Sequence, residues 1–510
     1  MEITCLGSSG FKLRDGDLIY ERVVALAREK NLQICLSQDE IAKIEKSRRI
    51  VEKCCANNKP VYGINTGVGA FANKIVSKED LVKLQYNIIK SHAVAVGDPL
   101  PKDISRAVLF LLINSLSKGF SGVRPELVNF LTNLFNKDLI PVIPSQGSLG
   151  ASGDLAQLAH LALIVVGEGQ VWYDGKICET GTIFEKENIE PLQLEAKEGL
   201  SLINGTYVMA AIACFNLYYA DILIESADII GAMSLEAYKG SIKPFDEIIT
   251  RMKPHRGQRE ASETISELVR GSRIIASHKN CDKVQDPYSF RCIPQVHGDC
   301  KDVFNHAVEA VKIEINAITD NPVVYGKEII SGGNFHGQRL ASVMRYLAGA
   351  PINLSAISER RINNLLDGSR EHLPKFLVKK EGLNSGLMIL QYTAASLVAD
   401  SKTRCPMIYS ESISVSANQE DFVSMGMSAC QRVAEICENT VKVLAIELIC
   451  AAQAIGFIKE KQAGKTSKVL SLVRDNVNFI YDDYEINNQS IIKIAEIIKD
   501  GRLLEVIRKT

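Results

Sequence analysis

The sequence predicts a mainly α-helical protein built around a bundle of long helices, with a smaller mixed region at its N-terminal end. After residue 105, apolar residues recur at helical spacing, and several helical segments exceed twenty residues and are apolar around most of their circumference. No linker or low-complexity tract divides the 510 residues. Such helices must be covered on nearly all sides, which favours a central bundle and association between subunits.

The elements are predicted in chain order. Helical patterns cover 18–30 and 38–57, and a glycine-rich loop follows at 62–69. Later helical patterns cover 107–117, 126–136, 155–166, 206–235, 300–318, 339–364, 387–399 and 422–457. A β-hairpin is predicted at 170–178, where Asp174-Gly175 supplies the positive φ angles of a two-residue turn. We therefore expect two regions: 1–105, mixed and carrying the Tyr62 loop, and 106–510, the long-helix bundle.

Composition restricts the class of partner. The chain has 59 Lys and Arg against 60 Asp and Glu, so it offers no electrostatic surface for nucleic acid or an anionic membrane, and a small neutral or zwitterionic partner fits better. The N-terminus has no signal-peptide pattern, and the thirteen cysteines form no CxxC pair. We expect a cytoplasmic protein with reduced thiols and no membrane partner. The eight histidines show no HExxH spacing, so no metal site is predicted.

The most informative segment is Gly147-Ser148-Leu149-Gly150-Ala151-Ser152-Gly153-Asp154-Leu155, a small-residue loop before an apolar helix. An Ala-Ser-Gly tripeptide can cyclise if the glycine nitrogen attacks the alanine carbonyl, a close approach that requires a residue without Cβ. Loss of water from the ring and from the serine would leave a methylidene group conjugated to an imidazolone. Taken alone, however, the segment favours the simpler interpretation, a turn in which Asp154 caps the following helix.

Further polar clusters interrupt the apolar pattern, and such residues are costly to bury without a use. These clusters lie at 62–69, 91–92, 202–206, 285–298, 331–337 and 418–421. With 147–155, the ordered motifs Gln285-Asp286-Pro287-Tyr288-Ser289-Phe290-Arg291-Cys292, Thr319-Asp320-Asn321-Pro322, Gly332-Gly333-Asn334-Phe335-His336-Gly337 and Gly382-Leu383-Asn384-Ser385-Gly386 complete the pattern. The chain resembles the histidine and aromatic amino-acid ammonia-lyase family along nearly its whole length.

The resemblance implies a prosthetic group, 4-methylidene-imidazol-5-one (MIO), formed autocatalytically from Ala151, Ser152 and Gly153 with no external cofactor. It would lie above helix N-termini, whose dipoles favour its developing negative charge. Addition of the substrate amine to the methylidene carbon would then let the nitrogen depart. The family places its catalytic base at Tyr62, although a free tyrosine has a pKa of about 10. Asp154 is implied as a support for ring formation, which N-capping alone would also explain.

The resemblance also assigns residues to substrate binding. Arg291 would bind the substrate carboxylate through two parallel hydrogen bonds; the alternative is that it forms a structural ion pair. Tyr288 is a catalytic partner that shares a face with Arg291 if the segment is helical. Asn204 would hold the carboxylate or the prosthetic oxygen, or else be a core asparagine bonded to backbone. Gln285 supports the same site, and Phe335 forms an aromatic wall.

Substrate choice is expected to depend on His92 and Glu420, because the nitrogens of a buried imidazole need polar partners. These residues and Met388 resemble the histidine-specific members, whereas Ala95, Phe422 and the stretch 400–406 depart from them. The resulting hypothesis is a homotetramer with shared active sites that converts L-histidine to trans-urocanate and ammonia, the first step of histidine degradation. The alternatives are a tyrosine ammonia-lyase or tyrosine 2,3-aminomutase, in which His92 holds a phenol hydroxyl, and an inactive helical scaffold.

Two other segments are assigned structural roles. Gly464-Lys465-Thr466-Ser467 lacks the first glycine of a phosphate loop and reads as a helix break. Glu359-Arg360-Arg361 is expected to line a solvated or intersubunit helix face.

Overall fold

The computed structural model of the protein describes residues 18–56, 60–277, 284–405, 412–485 and 487–508. Within these ranges its helices are α1 Tyr20–Arg28, α2 Gln38–Ala56, α3 Leu81–His92, α4 Lys102–Ser117, α5 Pro125–Asn136, α6 Leu155–Val165, α7 Thr180–Glu187, α8 Glu198–Ile203, α9 Tyr207–Tyr238, α10 Glu247–Met252, α11 Arg256–Leu268, α12 Arg273–Ser277, α13 Tyr288–Arg291, α14 Ile293–Asn316, α15 Gln338–Leu366, α16 Met388–Arg404, α17 Gly426–Ile455, α18 Gly464–Arg474, α19 Asn488–Lys499 and α20 Arg502–Arg508. The strands are β1 Val96–Pro99, β2 Ile140–Pro141, β3 Pro144–Gln146, β4 Gln170–Tyr173, β5 Lys176–Glu179, β6 Val323–Tyr325 and β7 Glu328–Ile330. The predicted mainly helical fold with long helices is confirmed.

The chain divides into two compact units. The first comprises the described parts of Met1–Phe215, Val308–Met344 and Ile408–Gln431, and it contains β1 to β7. The second comprises the described parts of Asn216–Ala307, Arg345–Met407 and Arg432–Thr510. The sequence-based regions 1–105 and 106–510 stay a prediction. Residues 1–17, on which the missing signal-peptide pattern rests, residue 57 at the end of a predicted helix, and residue 406 in the divergent stretch lie outside the described residues.

The predicted hairpin is present in the first unit. β4 and β5 pair antiparallel, with Trp172 opposite Ile177, and the turn contains Asp174 at φ 48° and Gly175 at φ 76°. β2 extends this sheet on the free edge of β4. Val171 of β4 joins a buried apolar cluster with Leu134 of α5 and other residues of α6 and α7. The alternation of the hairpin thus fixes one face of the small sheet against helices.

Two further strand pairs bring distant segments together. β1 pairs antiparallel with β3, with Val96 opposite Gln146, so the chain leaving α3 lies beside the start of the 147–155 loop. β6 and β7 form a second hairpin, whose Val324 packs in a buried cluster with Val51 of α2 and Ile64 of the Tyr62 loop. These contacts connect the Tyr62 loop to the rest of the first unit.

The ends of the long helices differ from the predicted ranges at one informative place. The pattern over 422–457 predicts a helix from residue 422, but α17 begins at Gly426 because Met425 adopts a left-handed conformation at φ 55° that interrupts a helix. The pattern over 206–235 becomes α9. By length and apolarity α9 could cross a membrane, but 83% of its most apolar window is buried within the protein, as in a core helix. The absence of a membrane partner stays a prediction.

The second unit contains a buried cluster of charged side chains. The Arg361 guanidinium grips Glu447 through Nε to Oε1 at 2.5 Å and Nη2 to Oε2 at 2.9 Å, and both side chains are fully buried. His297 Nδ1 donates to Asp228 Oδ1 at 2.7 Å, and Lys301 Nζ lies 2.9 Å from Asp228 Oδ2. The expectation that 359–361 lines a solvated or intersubunit face is therefore wrong for Arg361, and also for Glu359, which is buried.

Candidate active site

Asp154 is a fully buried carboxyl group next to the Ala-Ser-Gly tripeptide. Its Oδ2 accepts hydrogen bonds from the backbone N–H groups of Val208 and Met209, both at 2.9 Å, and Ser148 Oγ donates to its Oδ1 at 2.9 Å. Burial is the main cause that raises the pKa of Asp154 to about 7. Its side chain makes no capping bond to α6, so the simple N-cap interpretation is not what the geometry shows. Asp154 instead caps α9, a distant helix in sequence.

Two more helices begin against the same loop. The Gly337 N–H, immediately before α15, donates to the Gly150 carbonyl at 3.1 Å. The Met425 N–H, immediately before α17, donates to the Leu149 carbonyl at 2.8 Å. With α6 following the loop directly and α9 held by Asp154, four helices of the first unit begin here. Their partial positive charges favour an anion or developing negative charge at the loop.

Gly153 is the residue at which a side chain cannot be accommodated. Its φ is +72°, and a Cβ built there would lie 2.0 Å from the Gly205 carbonyl oxygen. The Asp154 N–H donates to that same oxygen at 2.8 Å, and Ser148 Oγ donates to the Gly153 carbonyl at 3.2 Å. Ala151 is buried on the other side of the tripeptide. The segment is therefore held tightly at both ends, as ring closure between its first and third residues requires.

Ser152 points its hydroxyl toward Glu420. Ser152 Oγ donates to Glu420 Oε1 at 3.2 Å. Glu420 is held by reciprocal backbone hydrogen bonds with Val415 at 3.0 and 3.3 Å, across a turn in which Ala417 and Asn418 have φ of 54° and 66°. A carboxylate thus lies next to the middle residue of the tripeptide, positioned by an unusually tight loop.

Tyr62 lies close enough to Glu420 to respond to its charge. Burial is the main cause that raises the pKa of the Tyr62 phenol above its usual range, and the Glu420 charge raises it further. The Gly69 backbone N–H opposes them, because a donated hydrogen bond favours the phenolate and lowers the pKa. A Cβ on Gly69 would meet Ser416 Oγ at 3.2 Å, so the two loops touch. The glycine-rich loop therefore supplies a donor for the phenolate.

His92 ends α3 with one ring nitrogen already engaged. Nδ1 lies 2.7 Å from the Ile88 carbonyl oxygen, which can only accept, so Nδ1 carries the hydrogen. In the neutral ring Nε2 is then an acceptor. A Cβ on Gly147 would lie 3.2 Å from Ala95 Cβ, so the chain just after His92 packs against the start of the reactive loop. This contact also shows that an alanine is accommodated at position 95.

Asn204 and Phe335 lie next in sequence, or nearly so, to residues that contact the 147–155 loop. Asn204 is buried, its Nδ2 donates to the Asn321 carbonyl at 3.4 Å, and its Oδ1 has no hydrogen-bond partner among the described residues. It immediately precedes Gly205, which pairs with Gly153 in an isolated bridge. Phe335 is half-buried and lies two residues before the Gly337 contact. The orphan amide oxygen of Asn204 marks a polar position open to a ligand.

The second unit contains the residues expected to hold the carboxylate. Tyr288 and Arg291 form the ends of α13, and the Arg291 guanidinium carbon lies 5.5 Å from the centre of the Tyr288 ring, as the three-residue spacing predicts. Arg291 Nη1 donates to Gln285 Oε1. Tyr288 is 71% exposed, so it is available for a ligand. Met388 begins α16.

The predicted site residues are thus divided between the two units. In the first lie Tyr62, His92, Ala151, Ser152, Gly153, Asp154, Asn204, Phe335 and Glu420; in the second lie Gln285, Tyr288, Arg291 and Met388. Within the first unit, direct contacts link the tripeptide to Glu420 and to Asp154. Within the second, they link Gln285, Tyr288 and Arg291.

Sequence reasoning missed supporting residues around the loop. Ser424 Oγ donates to the Gly150 carbonyl at 2.9 Å, and Thr206 Oγ1 donates to Glu314 Oε1 at 2.6 Å in a region where burial raises the pKa of Glu314. Ser424 lies three residues beyond a polar cluster already recognised, which was a usable signal. Glu314 lies in an amphipathic helix among other charged residues, and nothing in its spacing distinguishes it.

A helical chain whose Ala-Ser-Gly loop is held between helix N-termini, beside a tyrosine and a carboxylate, has the architecture of a carbon–nitrogen lyase. The family model described as aromatic amino acid lyase matches residues 18–475. The chain therefore belongs to the aromatic amino acid lyase family.

Similar proteins are known at both the sequence and the structural level. The chain is 44% identical to histidine ammonia-lyase of Caldanaerobacter subterraneus, over 97% of this chain and 98% of that protein. The crystal structure of histidine ammonia-lyase from Trypanosoma cruzi matches with a TM-score of 0.89 at 36% identity, covering 97% of this chain and 94% of that one. Tyrosine aminomutase from Streptomyces globisporus matches with a TM-score of 0.91 at 34% identity, covering 97% and 98%.

Proposed function

We propose that this chain deaminates L-histidine to trans-urocanate and ammonia, as the first step of histidine degradation. The observation that carries the proposal is the Glu420 carboxylate, 3.2 Å from the hydroxyl of Ser152 in the middle of the reactive loop. A carboxylate there offers an acceptor that an imidazole N–H can use and that a phenyl ring cannot. Two relatives named histidine ammonia-lyase, 44% and 42% identical over 97% of the chain, support this choice.

The proposed prosthetic group is MIO, made from Ala151, Ser152 and Gly153. The residues fit it: the third position excludes a side chain, and the first is buried. When present, this group supplies an electrophilic carbon for the substrate amine. The four helix N-termini stabilise negative charge at the loop. Asp154, with its raised pKa, can hold a proton at the loop during ring formation.

We assign Tyr62 as the base that removes a proton from the substrate β-carbon. The proton goes to the phenolate oxygen, the Cα–N bond breaks, and the products are an α,β-unsaturated acid and ammonia. The Gly69 N–H stabilises the phenolate needed for this step, against the opposing effects of burial and Glu420. His92 would accept the imidazole N–H through Nε2, since Nδ1 is used by Ile88. Glu420 would accept a second N–H on the other edge of the ring, which the imidazole offers in its protonated form.

We further propose that Arg291 binds the substrate carboxylate by two parallel hydrogen bonds, with Tyr288 as its catalytic partner and Gln285 holding the guanidinium. Asn204 would contact the carboxylate or the prosthetic oxygen. Phe335 would provide an apolar wall, and Met388 would line the imidazole pocket. The family resemblance also suggests a cytoplasmic homotetramer in which several subunits contribute to each active site. Mixing inactive Tyr62→Phe and Arg291→Ala proteins would then restore activity, and mixtures that stay inactive would contradict shared sites.

The substrate proposal is tested by incubating the purified protein with L-histidine or L-tyrosine and recording the ultraviolet absorbance of the unsaturated product. We expect the urocanate band from histidine. Glu420→Ala should abolish that turnover, whereas the control Asp421→Ala, which removes the neighbouring exposed carboxylate, should retain it.

The tyrosine alternative remains the second candidate, because a tyrosine aminomutase shares this fold at 34% identity. It predicts turnover of tyrosine that survives Glu420→Ala, with the phenol hydroxyl bound by His92. Product from tyrosine and none from histidine would overturn the histidine proposal. An inactive scaffold predicts turnover of neither amino acid and a full unprocessed mass.

A further inference from the structure

The short helix that carries Tyr288 and Arg291 is hydrogen-bonded to α15 through its buried residue Ser289. α13 spans four residues, too few to be stable without neighbours. Ser289, between the two functional side chains, faces α15: Asn364 Nδ2 donates to its Oγ at 3.2 Å, and Arg361 Nη1 donates to its carbonyl oxygen at 3.4 Å. Both inner contacts therefore come from side chains one helical turn apart on the same helix.

Arg361 is itself immobilised. Its guanidinium makes two hydrogen bonds to Glu447, and Glu447 Oε1 also accepts from Ser234 Oγ at 2.6 Å. All three side chains are buried. A planar guanidinium with two bonds to one carboxylate has its orientation fixed. Its Nη1 then lies 3.4 Å from two acceptors, the Ser289 carbonyl oxygen and His297 Nε2.

The neighbouring Phe290 supplies the apolar anchor of the same turn. Its ring is fully buried and stacks on Tyr238 with centroids 4.3 Å apart and an interplanar angle of 15°. Ser289 and Phe290 thus face inward, while Tyr288 is exposed and Arg291 half-buried. The apolar contact holds the turn in place, and the polar contacts to Ser289 determine how it is rotated.

We propose that Arg361 and Asn364 are positioning residues for substrate binding: by holding Ser289, they orient Tyr288 and Arg291 toward the substrate carboxylate. This inference rests on the proposed function, in which Arg291 binds that carboxylate. A bidentate hydrogen bond tolerates little angular error, so a small rotation of α13 weakens it. The rotation should therefore weaken binding of ligands that carry a carboxylate and leave binding of ligands without one unchanged.

The test uses Asn364→Ala, which deletes one inner contact and leaves the buried Arg361–Glu447 pair intact. We expect KM for the amino acid that the wild type deaminates to rise about tenfold, the size of a weakened hydrogen bond to a charged group. The inhibition constant of the corresponding decarboxylated amine, histamine for histidine, should change less than twofold. Asn363→Ala, at the adjacent half-buried asparagine that makes neither contact, is the matched control and should leave both constants unchanged.

A second variant separates positioning from general damage. Ser289→Ala removes the hydroxyl that Asn364 binds and should raise KM in the same way; combined with Asn364→Ala it should add little, because both remove one contact. An unchanged KM in both variants, or an equal loss for the amino acid and the amine, would overturn the inference. Because the substrate is whichever amino acid the wild type deaminates, failure of the histidine proposal alone leaves this test valid.

Discussion

Gly153 provides the sharpest test of how the reactive loop is built. In Gly153→Ala the new Cβ would lie 2.0 Å from the Gly205 carbonyl oxygen and 2.3 Å from its carbon, so the backbone must move by about 1 Å to reach even the shortest contact that real Cβ atoms show. That movement also disrupts the 2.8 Å bond from the Asp154 N–H to the same oxygen. The left-handed φ of +72° costs about 1–2 kcal/mol, and overpacking with loss of a buried hydrogen bond adds about 3 kcal/mol.

Gly175→Ala is a matched control for the backbone conformation. Gly175 has φ +76°, but a Cβ there would meet nothing within 4 Å, so this variant is destabilised only by the left-handed backbone conformation. Both substitutions are made in a Ser152→Ala background, which cannot lose the serine hydroxyl, so their difference reports packing alone. Thermal unfolding followed by circular dichroism should give a clearly lower midpoint for Gly153→Ala than for Gly175→Ala. Equal midpoints would refute the reasoning that Gly205 and Gly153 are in obligatory contact.

Three further predictions concern buried charge and catalysis. The pKa of Asp154 is about 7 in the folded state and about 3.9 in the unfolded state, so this group makes the free energy of unfolding fall by about 1.4 kcal/mol per pH unit between pH 4 and 7. The unfolding midpoint should therefore depend less steeply on pH in Asp154→Asn, and identical slopes would contradict the assignment. Arg361→Leu leaves Glu447 buried and without its ion-pair partner and should destabilise the protein by about 3–5 kcal/mol in a denaturant titration. Adding Glu447→Leu should recover part of that loss. A double variant less stable than the single variant would argue against a paired charge. Tyr62→Phe should lower kcat at least about 100-fold without changing the unfolding midpoint, and a nearly normal kcat would exclude Tyr62 as the base.

The sequence predicts those parts of the fold that depend on local pattern. Apolar spacing identified the long helices, and Asp174-Gly175 identified the hairpin, because the turn type follows from those two residues. The start of α17 was missed because Met425, whose N–H donates to the Leu149 carbonyl, has a left-handed conformation that no local preference of methionine reveals.

The site was predictable in its residue types but not in its construction. The small-residue loop and its glycine requirement follow from the Ala-Ser-Gly chemistry. That four helices begin around it depends on contacts between residues as distant in sequence as Leu149 and Met425, and single-sequence patterns carry no such information. Arg361 shows the same limit: three adjacent charged residues look solvated, and only its pairing with Glu447 explains the burial of its guanidinium.

The mass of the freshly purified chain, and of its peptide containing residues 151–153, shows whether these residues form a dehydrated heterocycle. We expect both masses to be lower than the sequence requires by two water molecules, and Ser152→Ala to remove the serine-derived loss and the activity together. A wild-type peptide of full, unmodified mass in protein that still releases ammonia would contradict this expectation.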